Sequence, residues 1–186
     1  SPFVIGMDPF QVEILSQRLI RDVYSEGGQV HMCAVAAIEI ALWDIIGKAC
    51  NQPVYNLWGG RCHEKLRAYA NGWYRGPRTP ESFGEKAKEV ARRGYTALKF
   101  DPFGDNLRLM TREEFDLSLD IIVAVRDAVG PSVDLLIEGH RRFNVGTAVQ
   151  FAEAMAKHRP TWFEEPTDHL TIKETIEVAR RSPVPI

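Results

Sequence analysis

Two short acidic motifs dominate the chemistry that this sequence can do. Ile137-Glu138-Gly139-His140 closes one apolar run (residues 133–137), and Phe163-Glu164-Glu165-Pro166 closes another (residues 161–163). Acids at the carboxyl ends of neighbouring parallel strands converge on one face, where parallel α/β proteins carry their active sites. Carboxylate oxygens in that arrangement suit a hard divalent cation such as Mg²⁺, with Glu138 and Glu164 as ligands. The plainer alternative is that one or both acids cap helices or form surface ion pairs. Upstream, Ala97-Leu98-Lys99-Phe100-Asp101 sets Lys99 and Asp101 two residues apart, on the same side of a strand. Lys99 can stabilise a developing anion, or act as a base if its pKa is lowered; alternatively it pairs with Asp101. Glu138 and His140 repeat the two-residue spacing, and an imidazole there is a candidate general acid or base. His31, His63, His158 and His169 lack such a setting and read as surface or packing residues.

Strands and helices must alternate to place these groups. Strand candidates are residues 66–70, 97–100, 133–137, 161–163 and 184–186. Thr79-Pro80-Glu81 opens a helix that ends near Gly94, and Thr111-Arg112-Glu113-Glu114 is a capping box for one reaching about Val129. Asn144 can cap a helix through Ala156, and Thr171-Ile172-Lys173-Glu174 is a second box with Leu170 placed as a staple. Consecutive βα units imply a parallel sheet. There are about four and a half of them, against the eight of a closed barrel. The chain stops on a strand, so it is expected to be part of a longer polypeptide and to be inert by itself.

The first sixty residues read differently. Asp8 can cap a helix running to about Tyr24, with Pro9 at its first position. A second helix over residues 30–48 carries Ala34, Ala37, Ile38, Ala41, Leu42 and Ile45 at helical spacing. Cys33 lies on that stripe and is expected to be buried. Asn51-Gln52-Pro53 stops the helix and Trp58-Gly59-Gly60 turns the chain.

The 186 residues are 45% hydrophobic and 26% charged, with net charge −2, an ordinary globular composition that offers no basic stripe for nucleic acid. No apolar run reads as a membrane span. Three cysteines without CxxC spacing fit a reduced, cytoplasmic protein.

Together these motifs resemble the enolase superfamily, in its mandelate racemase and muconate lactonizing subgroup. Ala41-Leu42-Trp43-Asp44-Ile45-Ile46-Gly47-Lys48, Pro53-Val54-Tyr55 and Leu57-Trp58-Gly59-Gly60 are similar to the family's junction between capping domain and barrel. Lys99-Phe100-Asp101 stands where many members carry Lys-x-Lys; Glu138-Gly139-His140 and Trp162-Phe163-Glu164-Glu165-Pro166 resemble the third- and fourth-strand motifs. The resemblance implies an α/β fold: residues 63–186 as the first half of a (β/α)₈ barrel, residues 1–62 as the end of an α+β capping domain with its junction. It implies Mg²⁺, held by Glu138 and Glu164, and abstraction of the proton alpha to a carboxylate with stabilisation of the resulting enediolate. Glu165 would support the site, Lys99 would neutralise the substrate carboxylate, and His140 would protonate a leaving hydroxyl, as in sugar-acid dehydratases. The third metal ligand and the usual histidine base would fall after Ile186.

Two departures matter. Asp101 replaces the second lysine, so a racemase base is missing; the aspartate can instead bind a substrate hydroxyl or hold Lys99. Glu138 is one methylene longer than the more frequent Asp. The expected function is therefore Mg²⁺-dependent dehydration of an aldonate or aldarate by a cytoplasmic homo-oligomer, with no nucleic-acid or membrane partner. A racemase, epimerase or cycloisomerase, a binding or structural piece, and a Schiff-base aldolase using Lys99 are the alternatives.

Overall fold

A computed structural model describes residues 3–21 and 27–186. The chain divides into two compact units, Ser1–Leu66 and Arg67–Ile186.

In the first unit, α1 (Val12–Arg21) and α2 (Gln29–Ala49) pack through Leu15, Leu19, Val35 and Leu42, and Ser16 donates to the Glu39 carboxylate. Asp8 does not cap α1. Its carboxylate accepts from the Phe10 amide at 2.9 Å and its carbonyl from the Gln11 amide, so it spends its acceptors on a turn and the helix starts at Val12. The expected end near Tyr24 lies outside the described residues. Helix α2 is apolar nearly all round, which blurs the stripe. Its buried positions are Val35, Leu42, Ile46 and Gly47, whereas Ala34, Ala37, Ala41, Ile45 and Cys33 are exposed in this unit. The same composition makes α2 long and apolar enough to cross a membrane, contrary to the expectation that no run qualifies. Gly47 permits the tight exit of α2: a Cβ there would meet the Gln52 carbonyl oxygen at 2.9 Å. The short α3 (Val54–Leu57) follows, with Trp43 and Trp58 in edge contact at 5.3 Å.

The second unit runs α4 (Pro80–Arg92), β1 (Ala97–Phe100), α5 (Arg112–Val129), β2 (Asp134–Glu138), α6 (Val145–Met155), β3 (Trp162–Glu164) and α7 (Ile172–Arg181). The strands form one parallel sheet in chain order, β1-β2-β3. Alternation decides what each face does. Leu98, Phe100, Leu135, Ile137 and Phe163 join the helices in one core, with Phe103, Phe143 and Phe151 packed edge-on among them. Lys99, Leu136, Glu138, Trp162 and Glu164 occupy the alternate positions and so belong to the other face.

Two expected strands are single contacts instead. Residues 66–69 are irregular and only Ala70 bridges to Leu98; likewise residues 184–186 form no strand, though the Pro185 carbonyl accepts from the Phe163 amide at 2.8 Å. Regular strands need a ladder on at least one side over several residues, and these segments each find only one rung or two.

In the second unit the caps were legible with one exception. Thr79, Thr111 and Asn144 each accept from the amide three residues on. Thr171 does not: its hydroxyl donates to the Asp168 carbonyl at 3.0 Å, and Leu170 is 80% exposed, so neither capping box nor staple forms. Replacing Thr111 or Asn144 by alanine is therefore expected to cost about 1 kcal/mol in urea unfolding of the full-length protein. Thr171→Ala should cost less than about 0.5 kcal/mol, and an equal loss at all three positions would contradict this assignment.

Candidate active site

The other face of the sheet carries ionisable groups at its carboxyl end. Glu138 and Glu164 are register partners on β2 and β3, which sets the two carboxylates side by side. Lys99 lies one pleat repeat lower, level with Leu136, and its long side chain climbs to both. Its Nζ stands 2.7 Å from Glu138 Oε2 and 2.5 Å from Glu164 Oε1. The remaining oxygens are held too: Glu138 Oε1 accepts from the His140 amide and Glu164 Oε2 from the Trp162 indole, both at 2.9 Å. The Lys99 and Glu138 side chains are 11% and 6% exposed, and Glu164 is partly open to solvent.

The electrostatics follow from that placement. Burial pushes the Lys99 amine down, but hydrogen bonds to Glu138 and Glu164 outweigh it and raise the pKa well above the ordinary lysine value. In this arrangement Lys99 is held as an ammonium, the form that stabilises an anion and not the one that acts as a base or a Schiff-base nucleophile. Nor does it pair with Asp101. Strand β1 ends at Phe100, and Asp101 turns away to meet Arg142 Nη2 and His140 Nδ1, each 2.5 Å from Oδ2.

Backbone shape builds the rim. Beyond the last ladder positions, the amides of Gly139, Arg141 and Phe143 donate to the carbonyls of Glu164, Glu165 and Pro166 at 2.8, 2.7 and 3.0 Å. This strap ties the loop after β2 to the loop after β3. His140, Arg141 and Glu165 all take positive φ (48°, 62° and 40°), strain that the strap over-determines. Gly139 is required by space: a Cβ would lie 2.9 Å from Pro166 Cα and 3.0 Å from two carbonyl oxygens. Glu165 points to a separate partner, Arg141, at 2.8 Å, which holds its carboxyl below the usual range. His169, expected to have no special setting, lies 3.2 Å from Arg141 at this rim.

Sequence reasoning missed Arg142 and the positioning role of Trp162. For Trp162 a signal existed, because it lies two residues before Glu164 and so shares its face. For Arg142 none did, since two left-handed residues precede it and alternation no longer applies.

Two family models match the chain: the mandelate racemase / muconate lactonizing enzyme N-terminal domain over residues 1–59, and an enolase C-terminal domain-like model over residues 82–186. The chain belongs to the enolase superfamily. It is 43% identical over 170 residues to the D-gluconate dehydratase of Thermoproteus tenax, covering 91% of this chain and 34% of that protein. It is 45% identical over 133 residues to the D-gluconate/D-galactonate dehydratase of Picrophilus torridus, covering 72% and 34%. A crystal structure of an enolase superfamily member from Salmonella Typhimurium superposes with TM-score 0.92 at 32% identity, over 98% of this chain and 52% of that one. The chain thus spans about a third of the length of these curated relatives and about half of that solved structure.

The donor set of this superfamily member fits Mg²⁺ in kind. Two carboxylates face each other, and each oxygen accepts one hydrogen bond, leaving further lone pairs free. With one ammonium between them the group keeps a net negative charge. Among the described residues no cluster of three or more His, Cys, Asp or Glu side chains is arranged to hold a metal, so a cation here would find two carboxylates, Glu138 and Glu164.

Two outcomes test this geometry. Gly139→Ala should destabilise the full-length protein by about 1–3 kcal/mol, because backbone must move to admit the methyl; unchanged urea unfolding would show that the strap is slack. Lys99→Met in metal-free buffer should cost about 3–5 kcal/mol at neutral pH by leaving two adjacent carboxylates uncompensated. In wild type the raised Lys99 pKa keeps the pair's contribution complete below the unfolded lysine value, and it is lost only as pH rises through the folded one. In the variant one carboxyl must hold its proton above the unfolded pKa, so the penalty should be smaller near about pH 5 than near about pH 8. A penalty that is flat across this range would reject the shared-charge account.

Proposed function

We propose that this chain is part of a Mg²⁺-dependent sugar-acid dehydratase acting on an aldonate or aldarate. Residues 63–186 would be the first half of a (β/α)₈ barrel, and residues 1–62 the end of the capping domain with its junction. Parallel strands neighbouring one another in chain order, each followed by a helix, support that reading. So do the hydrogen bonds that Ala70 and Pro185 make on the two outer edges, where further strands would lie. The observation that carries the functional reading is the convergence of Glu138, Glu164 and Lys99 at the carboxyl end of the sheet.

On this reading Glu138 and Glu164 hold Mg²⁺, which supplies positive charge against the anion that forms when the proton alpha to the carboxylate is lost. Lys99 carries a fixed ammonium toward the substrate carboxylate. His140 gives a proton to the departing hydroxyl, which leaves as water. The names of the relatives, gluconate and galactonate dehydratases, support a polyhydroxy acid as substrate. A cytoplasmic homo-oligomer completes the proposal.

Calorimetry on Glu138→Gln and Glu164→Gln in the full-length protein should show Mg²⁺ binding weakened in both; unaltered affinity would remove the ligand assignment. His140→Asn should lower dehydration about 10²-fold or more while Mg²⁺ still binds. Full activity in that variant would end the general-acid role.

A further inference from the structure

Asp101, Arg142 and His140 form a cluster that the dehydratase reading leaves partly unused. The Asp101 side chain is only 10% exposed, yet it is not a register neighbour of either metal-binding candidate. Its Oδ1 accepts from the Phe103 amide at 2.9 Å. Arg142, 12% exposed, donates Nη2 to Oδ2 at 2.5 Å and Nη1 to Oδ1 at 3.4 Å, and Nη1 also reaches the Gly104 carbonyl at 2.5 Å. The carboxylate is therefore locked on both sides, with a fixed orientation and a compensating charge. The same carboxylate also meets the His140 ring, whose side chain is 53% exposed, with Nδ1 at 2.5 Å from Oδ2.

The proton on that ring has one place consistent with this contact. A carboxylate only accepts, so an unprotonated Nδ1 at 2.5 Å would set lone pair against lone pair. Among the described residues the Arg142 guanidinium is the competing donor, and it stands 3.4 Å away. Nδ1 thus carries hydrogen toward Asp101, and Nε2, which has no protein partner among the described residues, is left to act. The positive φ of His140 and Arg141 is what folds the chain so that residues 140 and 142 both reach residue 101. That strain is maintained without any local glycine at these two positions.

We propose that Asp101 and Arg142 are positioning residues: Arg142 fixes Asp101, and Asp101 fixes the tautomer and direction of His140, so that Nε2 is the atom that exchanges protons with substrate. This assigns Asp101 away from binding a substrate hydroxyl. The catalytic consequence rests on the dehydratase reading; the tautomer does not.

The test uses the full-length protein with ring-¹⁵N histidine, the His140 signals being identified by their loss in His140→Gln. The neutral wild-type ring should be protonated at Nδ1. In Asp101→Leu the acceptor beside Nδ1 is gone and the Arg142 guanidinium is the donor left facing it, so the proton should move to Nε2. kcat should then fall about 10- to 100-fold with KM changed less than about threefold. Asp101→Ala should shift the tautomer in the same direction, and it decides the question if Asp101→Leu does not fold. A wild-type ring protonated at Nε2, or a tautomer unmoved in the variants, overturns the proposal. So does a raised KM with kcat intact, which would return Asp101 to substrate binding. A wild-type enzyme that dehydrates no aldonate or aldarate would sink the dehydratase reading, while the ¹⁵N signals would still decide the positioning claim.

Discussion

Two carboxylates side by side at the edge of a buried sheet are unstable neighbours unless a cation stands between them, and that constraint organises the second unit. Glu138 and Glu164 are forced together by register, not by choice of rotamer. Lys99 supplies the missing charge from one pleat repeat below, within 2.7 Å of both. Like charges in a low-dielectric setting would otherwise drive one of the acids to keep its proton. The amide of His140 and the indole of Trp162 complete the set by fixing the outer oxygens. The result is a preorganised anionic patch with one residual negative charge, the electrostatic condition for a divalent cation.

The rim depends on the same two strands in a different way. Once the ladder ends, three consecutive donors spaced two residues apart still find carbonyls on the neighbouring loop. This is possible only because Gly139 lets the backbones approach and because three non-glycine residues accept left-handed geometry. The strap carries Glu165 to Arg141 and brings Arg142 to Asp101. Two adjacent glutamates in one motif thus have separate fates: Glu164 faces the lysine, and Glu165 faces an arginine at the rim. The alternation rule of a strand explains the first, and the departure from a strand at φ 40° explains the second.

Much of this was legible in the residues themselves. Helical spacing, caps at Thr79, Thr111 and Asn144, and Gly94 after α4 placed three of the helices closely. β1 fell on residues 97–100, and β2 and β3 lay within one residue of their expected bounds, because short β-branched and apolar runs between capped helices have few other uses. Where the pattern was ambiguous, context decided. Helix α2 is too uniformly apolar to reveal its buried face, and Cys33 came out exposed in its unit. The Thr171 box failed because Thr171 sits at ψ 63°, not the extended backbone of the other caps, and its hydroxyl turns back to donate to the Asp168 carbonyl.

The sequence by itself determined which acids, which lysine and which histidine end up at the carboxyl ends of the strands. Side-chain alternation is a local, period-two property, and it settles the face of Lys99, Glu138 and Glu164 without reference to partners. Pairing was decided only by the tertiary structure. Lys99 and Asp101 share a side in the linear pattern, yet strand register gives the lysine two glutamates and a left-handed turn gives the aspartate an arginine and an imidazole. Register and loop conformation are set by contacts between segments dozens of residues apart, and no one-dimensional pattern contains those distances.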